Sequence, residues 1–175
     1  MRKVKLYIAA SFDGKIARPD GGIDWLPSPT AEDYGYEPFY NSIDTIVMGY
    51  ATYEVCLSFD GKWPYDGKKS FVFTRSATKP LLEIAERVTE NPADFVRKLK
   101  EQDGGDIWLL GGGQINTLLH DAGLIDEYII AYIPVLLGEG IELFPDIKKQ
   151  VNLNITQHKV YDSGVAMFYF SPKKE

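Results

Sequence analysis

Apolar positions in this chain fall in short blocks separated by polar turns. Residues 4–10, 43–48, 70–74 and 107–110 are near-continuous apolar runs. Each is too short for a helix and reads as a buried strand. A longer run, 128–137, reads the same way. Between these runs the period becomes helical. Ile115, Leu118, Leu119 and Ala122 recur at helical spacing, with Gly123 where a helix C-cap sits. Phe95, Val96 and Leu99 share one face of a helix that Asn91-Pro92 opens and Gly104-Gly105 stops. Residues 31–42 predict a helix with a capping-box start at Thr30-Ala31-Glu32-Asp33, broken or restarted at Pro38. Residues 52–57 predict a short helix and 87–89 a short strand. After a turn at Gly138-Glu139-Gly140 and a short apolar return at 141–145, residues 152–161 and 165–171 predict two strands. Asp162-Ser163-Gly164 joins them as a three-residue hairpin loop with Gly164 left-handed.

Strands alternating with helices, closed by an antiparallel hairpin, predict an α/β fold: a twisted, mostly parallel sheet in three layers, with helices on both faces. The 175 residues show no repeat, linker or internal boundary, so one domain over 1–175 is expected. Hydrophobic residues make up 45 % and charged ones 25 %, ordinary for a soluble globular protein. A net charge of −6 gives no general pull toward nucleic acid or an anionic membrane. The densest basic cluster, Arg97-Lys98-Leu99-Lys100, reads as a solvated helix face. Cys56 is the sole cysteine, which excludes an internal disulfide and suits a reducing cytoplasm. No signal peptide or membrane-length apolar run is visible, and the expected location is cytoplasmic. His120 and His158 lack ligand spacing, so no metal site is expected; His120 reads as a surface residue near a helix end.

In such sheets ligands sit at the C-terminal ends of the strands. Those ends carry Ala10-Ser11, Gly49, Thr74-Arg75 and Gly111-Gly112-Gly113. The glycines lie between a strand and a helix N-terminus, where outward N–H groups and the helix dipole favour anions. Two readings fit them: a cradle for a flat ligand or pyrophosphate, or a tight turn that needs positive φ. The loop holding Ile23, Trp25 and Leu26 is either a plug over the core or a lid over a ligand. No nucleophile elbow surrounds Ser58 or Ser163, and no Lys-Ser or Lys-Thr follows the glycines as in a P-loop.

The series Ala9-Ala10, Asp13-Gly14-Lys15-Ile16, Trp25, Met48-Gly49-x-x-Thr52-Tyr53-Glu54, Phe73-Thr74-Arg75, Gly111-Gly112-Gly113, Asp126-Glu127-Tyr128 and Phe144-Pro145 resembles dihydrofolate reductase. It is closer still to the reductase domain of the bifunctional riboflavin-biosynthesis deaminase/reductase and its stand-alone relatives. The resemblance spans nearly the whole chain and implies an NADPH-dependent reductase, often a homodimer. It implies that Ala10, Ile16 and Ala17 frame the nicotinamide and substrate. It assigns the pyrophosphate and nicotinamide edge to Gly111, Gly112, Gly113 and Gln114, and the phosphates to Gly49 and Thr52. Thr74, Arg75 and Ser76 match the adenosine 2′-phosphate side, where the planar Arg fork suits phosphate. Asp33, with Glu37 one turn later, is the nearest match to the carboxylate that directs protonation, with Trp25 as its shield. The competing reading of Asp33 is a helix cap. One departure stands out: Tyr50 occupies the place where the family usually has a basic residue.

Two function classes follow. One is an NADPH-dependent oxidoreductase acting on a small heterocyclic, carbonyl or imine substrate, pterin-like or pyrimidine-ribose phosphate-like. The other is a non-catalytic nucleotide- or ligand-binding module on the same scaffold, which Tyr50 keeps open. A small-molecule substrate is the expected partner. Apolar residues on both faces of 128–137, with Val165, Met167, Phe168, Tyr169 and Phe170, add the expectation of a homodimer through the C-terminal strands.

Overall fold

A computed structural model describes residues 1–27, 32–59 and 63–173. In chain order the elements are β1 (Val4–Ser11), β2 (Lys15–Ala17), α1 (Tyr36–Ser42), β3 (Ile43–Gly49), α2 (Tyr50–Leu57), β4 (Lys69–Phe73) and β5 (Ala85–Val88). Then follow α3 (Pro92–Lys100), β6 (Asp106–Gly111), α4 (Gly113–Asp121), β7 (Glu127–Ile133), β8 (Ile141–Glu142), β9 (Leu153–Val160) and β10 (Ala166–Pro172).

Eight strands form one sheet in the order β5-β4-β3-β6-β1-β7-β10-β9. Pairs from β5 to β7 are parallel; β10 runs antiparallel to β7 and β9. The fold is the expected three-layer arrangement. Alternate side chains of the parallel strands feed two cores. Val47, Phe71, Ile107 and Leu109 pack with Val96 and Leu99 of α3 and Leu119 of α4 on one face. Ile46, Met48, Val72 and Trp108 pack with Phe39 of α1 and Tyr53 of α2 on the other.

Local signals placed several ends correctly. Asn91 caps α3 by accepting from the Ala93 and Asp94 N–H groups at 2.9 and 3.3 Å. Gly123 (φ +67) closes α4 in a Schellman arrangement, with Leu124 N–H on Leu119 O and Gly123 N–H on His120 O. Gly164 (φ +86) closes the terminal hairpin.

Other expectations change. Helix α1 begins at Tyr36, because Tyr34 and Gly35 take positive φ (53 and 76°) and turn the chain first. Pro38 sits in its first turn, where a missing N–H is harmless. Thr30 and Ala31 of the expected capping box lie outside the described residues. Strand β7 ends before Pro134, well short of residue 137. His120 is buried, bridging the Tyr128 hydroxyl at 2.9 Å and the Lys149 carbonyl at 2.8 Å. Lys100 also leaves the expected solvated face: it is buried against the Asp126 carboxylate and the Leu124 carbonyl. Among the described residues no helix is long and apolar enough to cross a membrane, and no cluster could hold a metal.

Strand β2, which the apolar pattern did not single out, pairs with β8. A carboxylate staple fixes this region. Asp13 accepts from Ser11 Oγ at 2.6 Å, Leu137 N–H at 3.0 Å and Gly138 N–H at 2.7 Å. These bonds, led by the Ser11 hydroxyl, lower its pKa from 3.8 to about 2. On the other side of β8, Asn116 Nδ2 donates to Leu143 O and Thr117 Oγ1 donates to Pro145 O, holding 143–145 on α4.

Two predictions follow from these contacts. A methyl group on Gly113 would collide with the Glu142 carbonyl and lie 2.9 Å from Pro145 Cδ. Backbone cannot give way as a flexible side chain can, so Gly113→Ala should lower stability by about 3 kcal/mol. Gly112→Ala, at an ordinary φ of −86°, should lose less than about 1 kcal/mol. Chemical denaturation of both variants checks the contrast; equal losses would contradict it. For Asp13, the folded pKa lies below the unfolded one. The staple's contribution is therefore complete above the ordinary carboxylate range and vanishes as pH falls through about 2. The melting difference between wild type and Asp13→Asn should shrink between these limits; a difference that persists at pH 2 would rule the staple out.

Candidate active site at two helix N-termini

Strands β3 and β6 are neighbours and parallel, so their C-terminal ends lie side by side. Each runs straight into a helix: Gly49 caps α2 and Gly112 caps α4. The two caps nearly touch. A methyl on Gly49 would lie 3.8 Å from Gly112 N and 3.9 Å from Gly111 O. Two sets of free helix N–H groups and two positive dipole ends thus share one place on the sheet edge.

The three glycines are required for three different reasons. Gly111 has φ +122°, a region that favours glycine, and its peptide bond to Gly112 is cis. Gly112 has an ordinary φ, but its hydrogen faces Thr52 Oγ1 and Ile16 Cδ1, which a methyl would meet at 3.1 and 3.9 Å. Gly113 packs against β8, where a methyl would collide with the Glu142 carbonyl, and Gln114 after it is exposed. Ile16, Gly49, Thr52, Gly111 and Gly112 therefore lie together at the sheet edge.

The remaining predicted residues are placed less directly. Ala10 is wholly enclosed in the core shared with α3 and α4, so it can only form a floor. Ala17 lies in β2, its carbonyl against Gly140. Thr74, Arg75 and Ser76 follow β4 as a structured loop. Thr74 Oγ1 accepts from Ser76 N–H at 3.1 Å, and Ser76 Oγ accepts from the Thr78 and Lys79 N–H groups, both at 3.3 Å. Arg87 of β5 donates to the Ser76 carbonyl at 2.7 Å and also to the Lys79 carbonyl. Arg75 itself is exposed.

Asp33 does not match the expectation of a shielded acid. It is exposed, and its carboxylate accepts from the Glu37 N–H at 3.1 and 3.2 Å, capping α1. Trp25 is half-buried against the aromatic core on the α1 side, and its Nε1 is buried with no acceptor among the described residues. That core is dense in rings. Tyr7 stacks on Phe39 at 4.5 Å, while Phe39 and Tyr65 meet Trp108 edge-on at 5.2 and 5.1 Å. Burial pushes the Cys56 thiol up to about 11, which leaves it a poor nucleophile.

Tyr50, the departure from the family pattern, is the first residue of α2. Its hydroxyl donates to the Pro80 carbonyl at 3.1 Å, and Lys79 Nζ lies 4.2 Å from its ring centroid. Lys79 and Arg87 were not singled out from the sequence; a lysine in a polar loop and an arginine in a short strand carry no local signal of a site.

The comparisons agree with this geometry. The chain is 38 % identical to the uncharacterized protein YwjB of Bacillus subtilis (strain 168) over 169 residues, covering 96 % of this chain and 97 % of that protein. It is 29 % identical to a candidate riboflavin biosynthesis protein from Shewanella sp. PV-4, with a TM-score of 0.86 over 98 % of this chain and 99 % of that one. It shares its fold with the dihydrofolate reductase of Enterococcus faecalis complexed with NADP(H), at 18 % identity, TM-score 0.70, and 98 % and 97 % coverage. A reductase-type sheet ending in two converging helix N-termini, matched by the model of the RibD C-terminal domain across residues 2–167, makes this chain a member of that family.

Proposed function

We propose that this chain is an NADPH-dependent oxidoreductase acting on a small heterocyclic, carbonyl or imine substrate. The observation that carries the reading is the meeting of two helix N-termini across Gly49 and Gly112. Such a place suits a pyrophosphate, which needs several N–H donors and no side chain in the way. Gly49, Thr52, Gly111, Gly112, Gly113 and Gln114 would hold the diphosphate and nicotinamide edge, and Ile16, Ala17 and the floor at Ala10 the nicotinamide side. Thr74, Arg75 and Ser76 would face the 2′-phosphate. The dinucleotide supplies the hydride; the chain orients it and keeps water from the reacting face. Because Asp33 is exposed and engaged as a cap, and Glu37 is exposed as well, we assign proton delivery to water. The substrate is of the pterin or pyrimidine-ribose phosphate type, in keeping with the family, and the setting is cytoplasmic.

A second reading, a nucleotide-binding module without catalysis, is favoured by the lack of a shielded acid and by Tyr50. Titration with NADPH followed by substrate-dependent NADPH oxidation separates the two. Binding with turnover supports the reductase, binding without turnover the module, and no binding of NADPH or NADH refutes both. Gly112→Val puts a branched side chain against Thr52 Oγ1, 3.1 Å from its Cβ, and toward Ile16, at an ordinary backbone φ of −86°. NADPH affinity should fall at least about ten-fold, roughly 1.4 kcal/mol, with melting measured without cofactor to establish that the variant is folded. A folded Gly112→Val protein with unchanged NADPH affinity would remove this turn from the site.

We also propose a homodimer. Strand β9 is an open edge with Ile155 and Val160 exposed, and Tyr132, His158, Phe168 and Phe170 form an incompletely covered aromatic row beside it. A second copy of the same surface would cover both the edge and the rings. Light scattering at micromolar concentration should give twice the 19.7 kDa chain mass. A monomer mass would overturn the dimer.

A further inference from the structure

Asn116 is wholly buried near the start of α4, and half of its amide is unpaired. Its Nδ2 donates to Leu143 O at 3.0 Å, while Oδ1 has no donor among the described residues. The orientation is fixed by chemistry. A carbonyl oxygen only accepts, so the amide NH2 must face Leu143 and Oδ1 must face away from it. Oδ1 lies instead beside Gly111. A methyl on Gly111 would find Ile8 Cδ1 at 3.4 Å and Asn116 Oδ1 and Thr52 Oγ1 at 3.9 Å each, with nothing nearer outside its chain neighbours. The φ of +122° at Gly111 disfavours any residue whose side chain would fill that space. Thr52 belongs to the first turn of α2, and its Oγ1 also lies 3.1 Å from where a methyl on Gly112 would sit. Two oxygens, one from each helix start, thus flank one methyl-sized space.

We propose that one buried water bridges Asn116 Oδ1 and Thr52 Oγ1, and that Asn116 acts through it as a positioning residue for the Thr52 hydroxyl. The use made of that hydroxyl rests on the dinucleotide reading above. A buried amide oxygen without a donor is destabilising, and a water held by two or more polar groups relieves it. The direction of the bonds follows from which atoms carry hydrogen. Oδ1 has none, so the water donates to it. Ile8 Cδ1, on the third side of the space, offers nothing to bond. The second hydrogen of the water therefore goes to Thr52 Oγ1, which accepts it. The hydrogen of Thr52 itself is then turned away from the water, toward the diphosphate between the two helix N-termini. Without this relay the hydroxyl rotates freely, and a bound anion has to order it.

Diffraction from crystals of the cofactor-free protein reads the water directly. One water oxygen should lie within about 3.2 Å of both Asn116 Oδ1 and Thr52 Oγ1, and Thr52→Val should lose it. No water there, or one that keeps its place in Thr52→Val, overturns the bridge. The positioning role is read by calorimetric titration with NADPH of wild type, Asn116→Leu, Thr52→Val and the double variant, after melting of each has established that it folds. Asn116→Leu should weaken NADPH roughly three- to ten-fold. In the Thr52→Val background the same change should weaken it less than about two-fold, because the hydroxyl it positions is gone. In the Thr52→Ser background, which keeps a hydroxyl, the loss should return. A merely structural Asn116 would give the same fold-loss in all three backgrounds, and that result overturns the assignment. Should Asn116→Leu not fold, the diffraction comparison of wild type with Thr52→Val decides alone. If wild type binds neither NADPH nor NADH, the dinucleotide reading fails and the positioning role with it, while the water bridge still stands or falls by diffraction.

Discussion

The close approach of two chain turns governs this structure. Where β3 and β6 end side by side, each enters a helix, and the caps of those helices come so close that a methyl on Gly49 would touch Gly112. A side chain on Gly49 would press on Ile115 and fill the space beside Gly112. Everything nearby is arranged around keeping the crossing tight. Asn116 and Thr117 tie α4 to residues 143–145, β8 closes over Gly113, and Asp13 pins the loop after β7 to the turn before β2. The two positive helix ends that the proposed anion site would use are a by-product of this backbone geometry.

Much of this was legible from the order of residues because it depends on local chemistry. Short apolar runs, Asn91-Pro92, Gly123 and Gly164 each act on their own turn of chain, and each behaved as its type dictates. The glycine triplet was legible as a turn between a strand and a helix but not as three different constraints. Only the fold brings Glu142 against Gly113 and Thr52 against Gly112. The expectations that changed depend on partners far along the chain. The start of α1 is set by Tyr7, whose hydroxyl donates to Tyr34 O, and by the hairpin tip, where Asp162 N–H reaches Glu32. His120 and Lys100 are drawn inward by Lys149 O and Asp126, each more than twenty residues away. No periodicity within a helix can report such contacts.

The same distinction separates the two halves of the candidate site. The half proposed to hold the dinucleotide is built from backbone: glycine hydrogens, helix N–H groups and one small hydroxyl. Few substitutions are compatible with so close a backbone crossing. The half toward α1 is built from side chains, the stacked and edge-on rings of Tyr7, Phe39, Tyr65 and Trp108 with Trp25 beside them. Rings of this kind can be exchanged without disturbing strand order. Membership in the family therefore constrains the cofactor much more than the substrate. Asp33 illustrates the point. The helix that would present a proton donor is there, but its carboxylate is turned to the Glu37 N–H and to solvent. A scaffold that fixes where hydride leaves can still differ between members in how the proton arrives.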